Sequence, residues 1–172
     1  MMKSLKIGSL IMALMLFLVG AHAQNSVEKV KIGDTMPQFT LNSDVYGQVT
    51  PSDLKGKVVL VSLFATWCGP CQKELAEVQS TLYPKYKDNE NFRLLVIGRE
   101  HTDADLTKYN ARKKFTFPLY PDPKREVFSL FADQSIPRAY LFGKDGKLIY
   151  TSTGYTPEEF QKLMDTIEEA LK

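Results

Sequence analysis

Val58-Val59-Leu60-Val61-Ser62-Leu63-Phe64-Ala65-Thr66-Trp67-Cys68-Gly69-Pro70-Cys71 is the stretch that decides the fold. Val58 to Phe64 is apolar except at Ser62 and rich in β-branched side chains. Such a run predicts a strand buried on both faces, as in a parallel sheet. Gly69-Pro70 then opens a helix, with Pro70 fixing φ in its first turn. Leu75, Val78 and Leu82 give that helix an apolar stripe, and Pro84 is expected to end or kink it.

Outward from this unit the same alternation continues. Phe92 to Gly98 reads as a second buried strand. Thr102 is placed to cap a helix running to about Lys114. Phe117 to Tyr120 reads as a short strand stopped by Pro121 and Pro123, and Glu126 to Phe131 as a short helix. Ala139–Phe142 and Lys147–Thr151 are strands joined by the turn Gly143-Lys144-Asp145-Gly146. Thr156-Pro157-Glu158-Glu159 has the form of a capping box. The helix it opens carries Phe160, Leu163, Met164, Ile167 and Leu171. Upstream, Pro37 to Leu41 reads as a short strand, Asp44 to Pro51 as turn-rich, and Ser52 to Gly56 as one helical turn. Strand and helix alternation followed by a hairpin predicts an α/β fold. Its sheet has a parallel core with helices on both faces and is edged by an antiparallel pair.

Both cysteines fall in Cys68-Gly69-Pro70-Cys71. A structural bridge over so short a loop gains only ~2 kcal/mol in the loop-entropy account, against ~4.7 for a 100-residue loop. A zinc site needs three or four ligands, and past the leader only His101 joins the two cysteines as a histidine or cysteine donor. The spacing suits a redox dithiol better. Cys68, at a helix start, meets unpaired N–H groups and the positive dipole end, which favour its thiolate. Cys71 lies one turn on, within reach of a disulfide. Exchange then runs by attack of Cys68 on a partner disulfide and release of the partner by Cys71.

The chain has 172 residues, with 22 Lys and Arg against 20 Asp and Glu. The surplus belongs to Lys3 and Lys6. Residues 24–172 hold 20 of each sign, which argues against a nucleic-acid binder and against a polybasic membrane-surface module. Lys3 and Lys6, the apolar run Leu10 to Val19 and Ala21-His22-Ala23 together have the form of a cleaved secretory signal. The expected divisions are a signal peptide at 1–23, a loose polar lead-in at 24–36 and one folded domain at 37–172. Export implies the periplasm, where disulfides persist.

Four segments resemble the thioredoxin superfamily, and within it the extracytoplasmic TlpA/ResA-like thiol-disulfide oxidoreductases. They are Ile32 to Leu41, Leu54 to Val61, Phe64 to Glu74, and Ile136-Pro137 with the strand and Lys144 to Lys147 beyond it. The resemblance implies a thioredoxin fold with an N-terminal extension and an inserted strand–helix segment. It implies Cys68 and Cys71 as catalytic, Glu74 as a proton relay, and Trp67, Ile136 and Pro137 against the substrate. It also implies a cis bond at Ile136–Pro137. No metal or cofactor is expected beyond the cysteine pair itself. The implied partners are disulfide-containing proteins, apocytochrome c among them, and a membrane electron donor of the CcdA or DsbD kind. A monomer is expected.

Three positions depart from the pattern. Ser62 stands where thioredoxin has a buried Asp. Ala76 replaces a helix proline, so a straighter helix is expected. Arg138 follows Pro137 where a small residue is common, and reads either as a cation attracting an acidic partner or a thiolate, or as a solvated side chain. Two other functions were open to the sequence. A thiol peroxidase shares the N-terminal signature, but Ala65 stands where peroxiredoxins place Thr. A binding domain with a vestigial cysteine pair is the other.

Overall fold

The computed structural model describes residues 28–172. The leader at 1–23 therefore lies outside the described residues. The chain forms β1 (Leu41–Ser43), β2 (Gly47–Val49), β3 (Val58–Phe64), α1 (Gly69–Glu77), α2 (Tyr83–Tyr86), β4 (Phe92–Arg99) and α3 (Asp103–Lys113). Then come β5 (Leu119–Asp122), α4 (Phe128–Phe131), β6 (Arg138–Phe142), β7 (Leu148–Thr153) and α5 (Pro157–Leu171). Five strands form the main sheet in the order β5-β4-β3-β6-β7, while β1 and β2 make a separate hairpin. β3 pairs in parallel with β4 and antiparallel with β6. The β4–β5 pair is parallel and the β6–β7 pair antiparallel.

Every residue of β3 is buried. Val58, Leu60 and Phe64 face a core with α1, α3 and α5, whereas Val59, Val61 and Leu63 face another. That second core is closed by the lead-in, the β1–β2 hairpin and α4, through Val30, Met36, Leu41 and Phe128. The long helices thus share one face of the sheet, where helices on both faces were expected; mostly non-helical chain, with the short α4, covers the other because the lead-in and the β1–β2 hairpin supply its apolar side chains.

Several boundaries differ from expectation for local reasons. Pro37 to Thr40 forms no ladder; the short strand begins at Leu41 and pairs with Gly47–Val49 inside the turn-rich stretch. β5 includes Pro121. An edge strand tolerates a residue that cannot donate on its open side. α4 starts two residues late, at Phe128, because Asp122 accepts from Val127 N at 3.2 Å and Phe128 N at 2.7 Å. The helix from Gly69 is carried past Glu77 by a wide π-type turn over Val78–Leu82, in which Tyr83 N–H reaches Val78 O. Pro84 cannot bond the carbonyl four residues back, and the widened turn before it lets the helix continue to Tyr86. Ala76 lies within the regular part, α1. At α5, Thr156 Oγ accepts from Glu159 N at 3.2 Å, but the Glu159 carboxylate binds Tyr150 and Lys162 and so leaves the box half made.

The lead-in is not loose from Glu28 onward. Glu28 bridges to Ala132, and Thr35 bridges to Lys147. Val30 and Met36 are buried. Glu28 also accepts from the Arg138 guanidinium, whose side chain is only 4% exposed. Breaking an ion pair there strands a charge in the interior. Glu28→Gln should therefore lower unfolding stability by about 3 kcal/mol, read as a lower urea midpoint with unchanged slope.

Candidate active site

β3 ends at Phe64, and the next three residues turn the chain into α1. Cys68 is the N-cap of that helix, in extended backbone with φ −83° and ψ 111°. Its Sγ accepts from Cys71 N at 3.2 Å. The two sulfurs are joined, with the Cα atoms 5.3 Å apart. Cys71 is fully enclosed, while Cys68 keeps 6% of its surface. A partner can therefore reach only the outer sulfur. On reduction, the helix N-terminus and the Cys71 N–H favour the thiolate at Cys68.

Glu74 stands one turn beyond Cys71 and is 5% exposed. Ser62 Oγ donates to its Oε1 at 2.9 Å. Burial pushes this carboxyl up to about 7, and the Ser62 bond opposes the rise only in part. Ser62 at the usual place of a buried acid is therefore not a loss. The hydroxyl in β3 anchors an acid supplied from α1 instead. A lone polar residue in an otherwise apolar buried strand signals such a partner.

Across from the sulfurs lies the loop before β6. Its Ile136–Pro137 bond is cis. The Ile136 carbonyl oxygen is 3.8 Å from Cys68 Sγ. Ser135 has φ +67°, a region that side chains other than glycine seldom occupy. Arg138 holds this loop from below, with Nε donating to Gln134 O and Ser135 O at 3.1 Å each. Arg138 is thus neither a free cation nor a solvated side chain. It is a buried clamp neutralised by Glu28.

Trp67 is 63% exposed. The Arg99 guanidinium lies 5.5 Å from its ring centre. His101 lies just past β4 and is buried, and its Nε2 accepts from Thr66 N at 3.0 Å. Burial lowers its pKa against the pull of Asp105 and Glu100, so the neutral acceptor form persists at neutral pH. Gln72 donates to Thr66 O at 3.4 Å, and Tyr109 OH donates to Gln72 Oε1 at 2.6 Å. Both backbone groups of Thr66 are thereby fixed, two residues before Cys68. Gly98 lets α3 and His101 approach this closely. A Cβ there would stand 2.8 Å from Leu106 Cδ2 and 3.4 Å from the His101 ring. Sequence reading missed this network; its one signal was a histidine just past the carboxyl end of a buried strand, where α/β sheets place their sites.

A thioredoxin-type sheet with a Cys-Gly-Pro-Cys pair capping α1 and a cis-proline loop facing it defines a thiol-disulfide oxidoreductase. The chain belongs to the AhpC/TSA family, whose sequence profile matches residues 32–151. Among its relatives is the thiol-disulfide oxidoreductase ResA of Bacillus anthracis, 29% identical over 132 residues, 77% of this chain and 75% of that one. A solved Bacteroides thetaiotaomicron protein, provisionally assigned as a protein disulfide isomerase, superposes with a TM-score of 0.80 at 35% identity. It covers 84% of this chain and 92% of its own. A Chlorobium tepidum protein, provisionally assigned as the thiol:disulfide interchange protein DsbE, gives 0.71 at 27% identity, over 83% and 99%.

The raised Glu74 pKa has a cost that can be measured. Below the usual carboxylate pKa, Glu74 is protonated whether the chain is folded or not. Between there and pH 7 only the unfolded chain gives up the proton, so stability falls as pH rises. The loss levels off above about 7. Its full size is about 3 kcal/mol. In the oxidised protein, Glu74→Gln should abolish this decline, seen by urea unfolding at pH 4.5 and pH 8 (about the two ends of the window).

Proposed function

We propose that the protein reduces disulfides in other proteins, outside the cytoplasm, with Cys68 as nucleophile and Cys71 as resolving thiol. The observation carrying this is the asymmetry of the pair. Cys68 is the reachable sulfur at a helix N-terminus, and Cys71 is enclosed on the same helix three residues before the buried Glu74.

Cys68 thiolate attacks one sulfur of the substrate disulfide. A Cys68–substrate disulfide forms and the other substrate sulfur leaves as a thiolate. Glu74 then takes the Cys71 proton. Cys71 attacks Cys68, the mixed disulfide breaks, and the second substrate thiolate departs. The substrate gains two electrons and the enzyme pair loses them. An extended substrate segment pairs with the Ile136 backbone as an added strand, with Pro137 beside it and Trp67 offering exposed apolar area.

The leader-like sequence at residues 1–23 supports export, and with it work in the periplasm. The Gly-Pro pair is that of thioredoxin, near ~−270 mV, and not that of the oxidant DsbA, near ~−120 mV. Electrons would then come across the membrane from a donor of the CcdA or DsbD kind. Apocytochrome c thiols, which must be reduced before haem attachment, are a fitting target. A monomer suffices, since one chain supplies every group named. The peroxidase reading is less favoured, because Ala65 is fully buried at the place of the peroxiredoxin threonine and offers no hydroxyl.

Cys71→Ser leaves the second step without a nucleophile. It should trap partners on Cys68 as mixed disulfides, recoverable from the exporting cell and released by dithiothreitol. The wild-type potential should fall nearer thioredoxin's than DsbA's. A value above ~−150 mV would reverse the direction of electron flow, and absence of trapped partners would remove the exchange reading.

A further inference from the structure

Glu74 can take the Cys71 proton only as a carboxylate, so a proton it already holds needs a way out, and the residue is almost wholly enclosed. In the sheet, Ser62 pairs with Ala139 and Ala139 with Ser152. Paired residues share a face, so three of the smallest side chains form a row across β3, β6 and β7. This row runs beneath α1 and α5. Bulky residues flank it on the same strands: Leu60, Leu141 and Tyr150 one way along, with Phe64 beyond Ser62. The space it leaves is a small cavity bordered by Glu74, Ala139, Ser152, Phe160 and Glu159. About 10 Å³ of it is open to the centre of a water molecule, close to the minimum for holding one water. Its walls offer that water the polar partners it needs in Glu74, Ser152 and Glu159. At the outer end the Glu159 side chain is 41% exposed. The Glu159 carboxylate is ordered there by Tyr150 OH at 3.1 Å and Lys162 at 2.6 Å.

We propose that Glu74 returns its proton to solvent through this seam between β7 and α5, with Ser152 as the hydroxyl relay across the cavity and Glu159 as the surface carboxylate at its mouth. The route rests on the reading that Glu74 takes the Cys71 proton. No redox step is added. The proton moves from Glu74 to a water held by Ser152 and from there to bulk water, with Glu159, held below the usual carboxylate range by its bonds to Lys162 and Tyr150, passing it on at the mouth without keeping it, and Glu74 is left as carboxylate. The competing exit is the Cys68 side, the face on which substrate docks. A separate route keeps the proton path open while a substrate protein covers that face. The titratable groups around Glu74 are Cys71 on its own helix, Tyr150 on β7, Tyr155 in the turn before α5, and Glu159 on α5. Tyr150 and Tyr155 are both held above their ordinary pKa, chiefly by burial, and remain neutral where Glu74 titrates.

Blocking and opening the cavity at one position separates the possibilities. The readout is the rate at which the reduced full-length protein reduces insulin disulfides, measured against pH in H2O and D2O. Ser152→Val fills the cavity with methyl groups. It should slow the step about tenfold, within the range of lost acid–base catalysis, and enlarge the solvent isotope effect. Ser152→Ala keeps room for water and should stay within about twofold. Glu159→Gln, an exposed change that folding tolerates, should slow the step less, with recovery on adding acetate as a mobile proton carrier. Glu74→Gln should slow the reaction by itself and abolish any further effect of Ser152→Val, as expected of residues acting in one chain of events. If Glu74→Gln slows the reaction while Ser152→Val and Glu159→Gln leave it unchanged, the proton leaves on the Cys68 side and the route is wrong. If Glu74→Gln changes nothing, the reading beneath the route fails with it.

Discussion

β3 is the constraint on which everything else hangs. Its seven residues are buried on both faces and hydrogen-bonded on both edges. A strand so enclosed needs apolar cover above and below. α1, α3 and α5 provide one cover, and the lead-in, hairpin and α4 provide the other. The strand also aims its carboxyl end at the turn that becomes α1. Cys68 therefore arises where a rigid strand stops and a helix dipole begins, which is the placement that favours a thiolate.

The same strand carries a single polar side chain, Ser62. Ser62 anchors Glu74, and the acid stays enclosed and half-titrated near neutral pH. A carboxyl in that state weakens the fold at high pH, since burial opposes its charge. It is also matched to moving a thiol proton near neutrality. Stability and chemistry pull in opposite directions at this position, as is common where a site stores an unfavourable group.

Around the cysteines, the loops are held by long-range bonds and not by their own regular structure. Thr66 is gripped by His101 and Gln72. The loop leading to Pro137 is gripped by Arg138, whose charge is balanced by Glu28 far away in the sequence. The docked lead-in is thus part of the apparatus that shapes the loop facing the cysteines. Local polarity at residues 24–36 gave no sign of this.

How much was legible follows from the range of each signal. The β3 strand was readable to the residue because its apolar run is interrupted only by the small Ser62. The CGPC helix start, the Gly143–Gly146 hairpin turn and the α5 stripe were readable because their rules are local. Pro121 inside β5 was not, since edge or centre is a property of the sheet. The late start of α4 was not, since its cap comes from Asp122 on the preceding strand. The sequence by itself determined a dithiol at the junction of a buried strand and a helix, and with it the kind of chemistry. Only the tertiary structure decided that Ser62 reaches Glu74, that Arg138 is a buried clamp and that His101 fixes the active-site turn. Those facts depend on which side chains distant segments bring within hydrogen-bond range, and on the burial that makes each bond costly to lose.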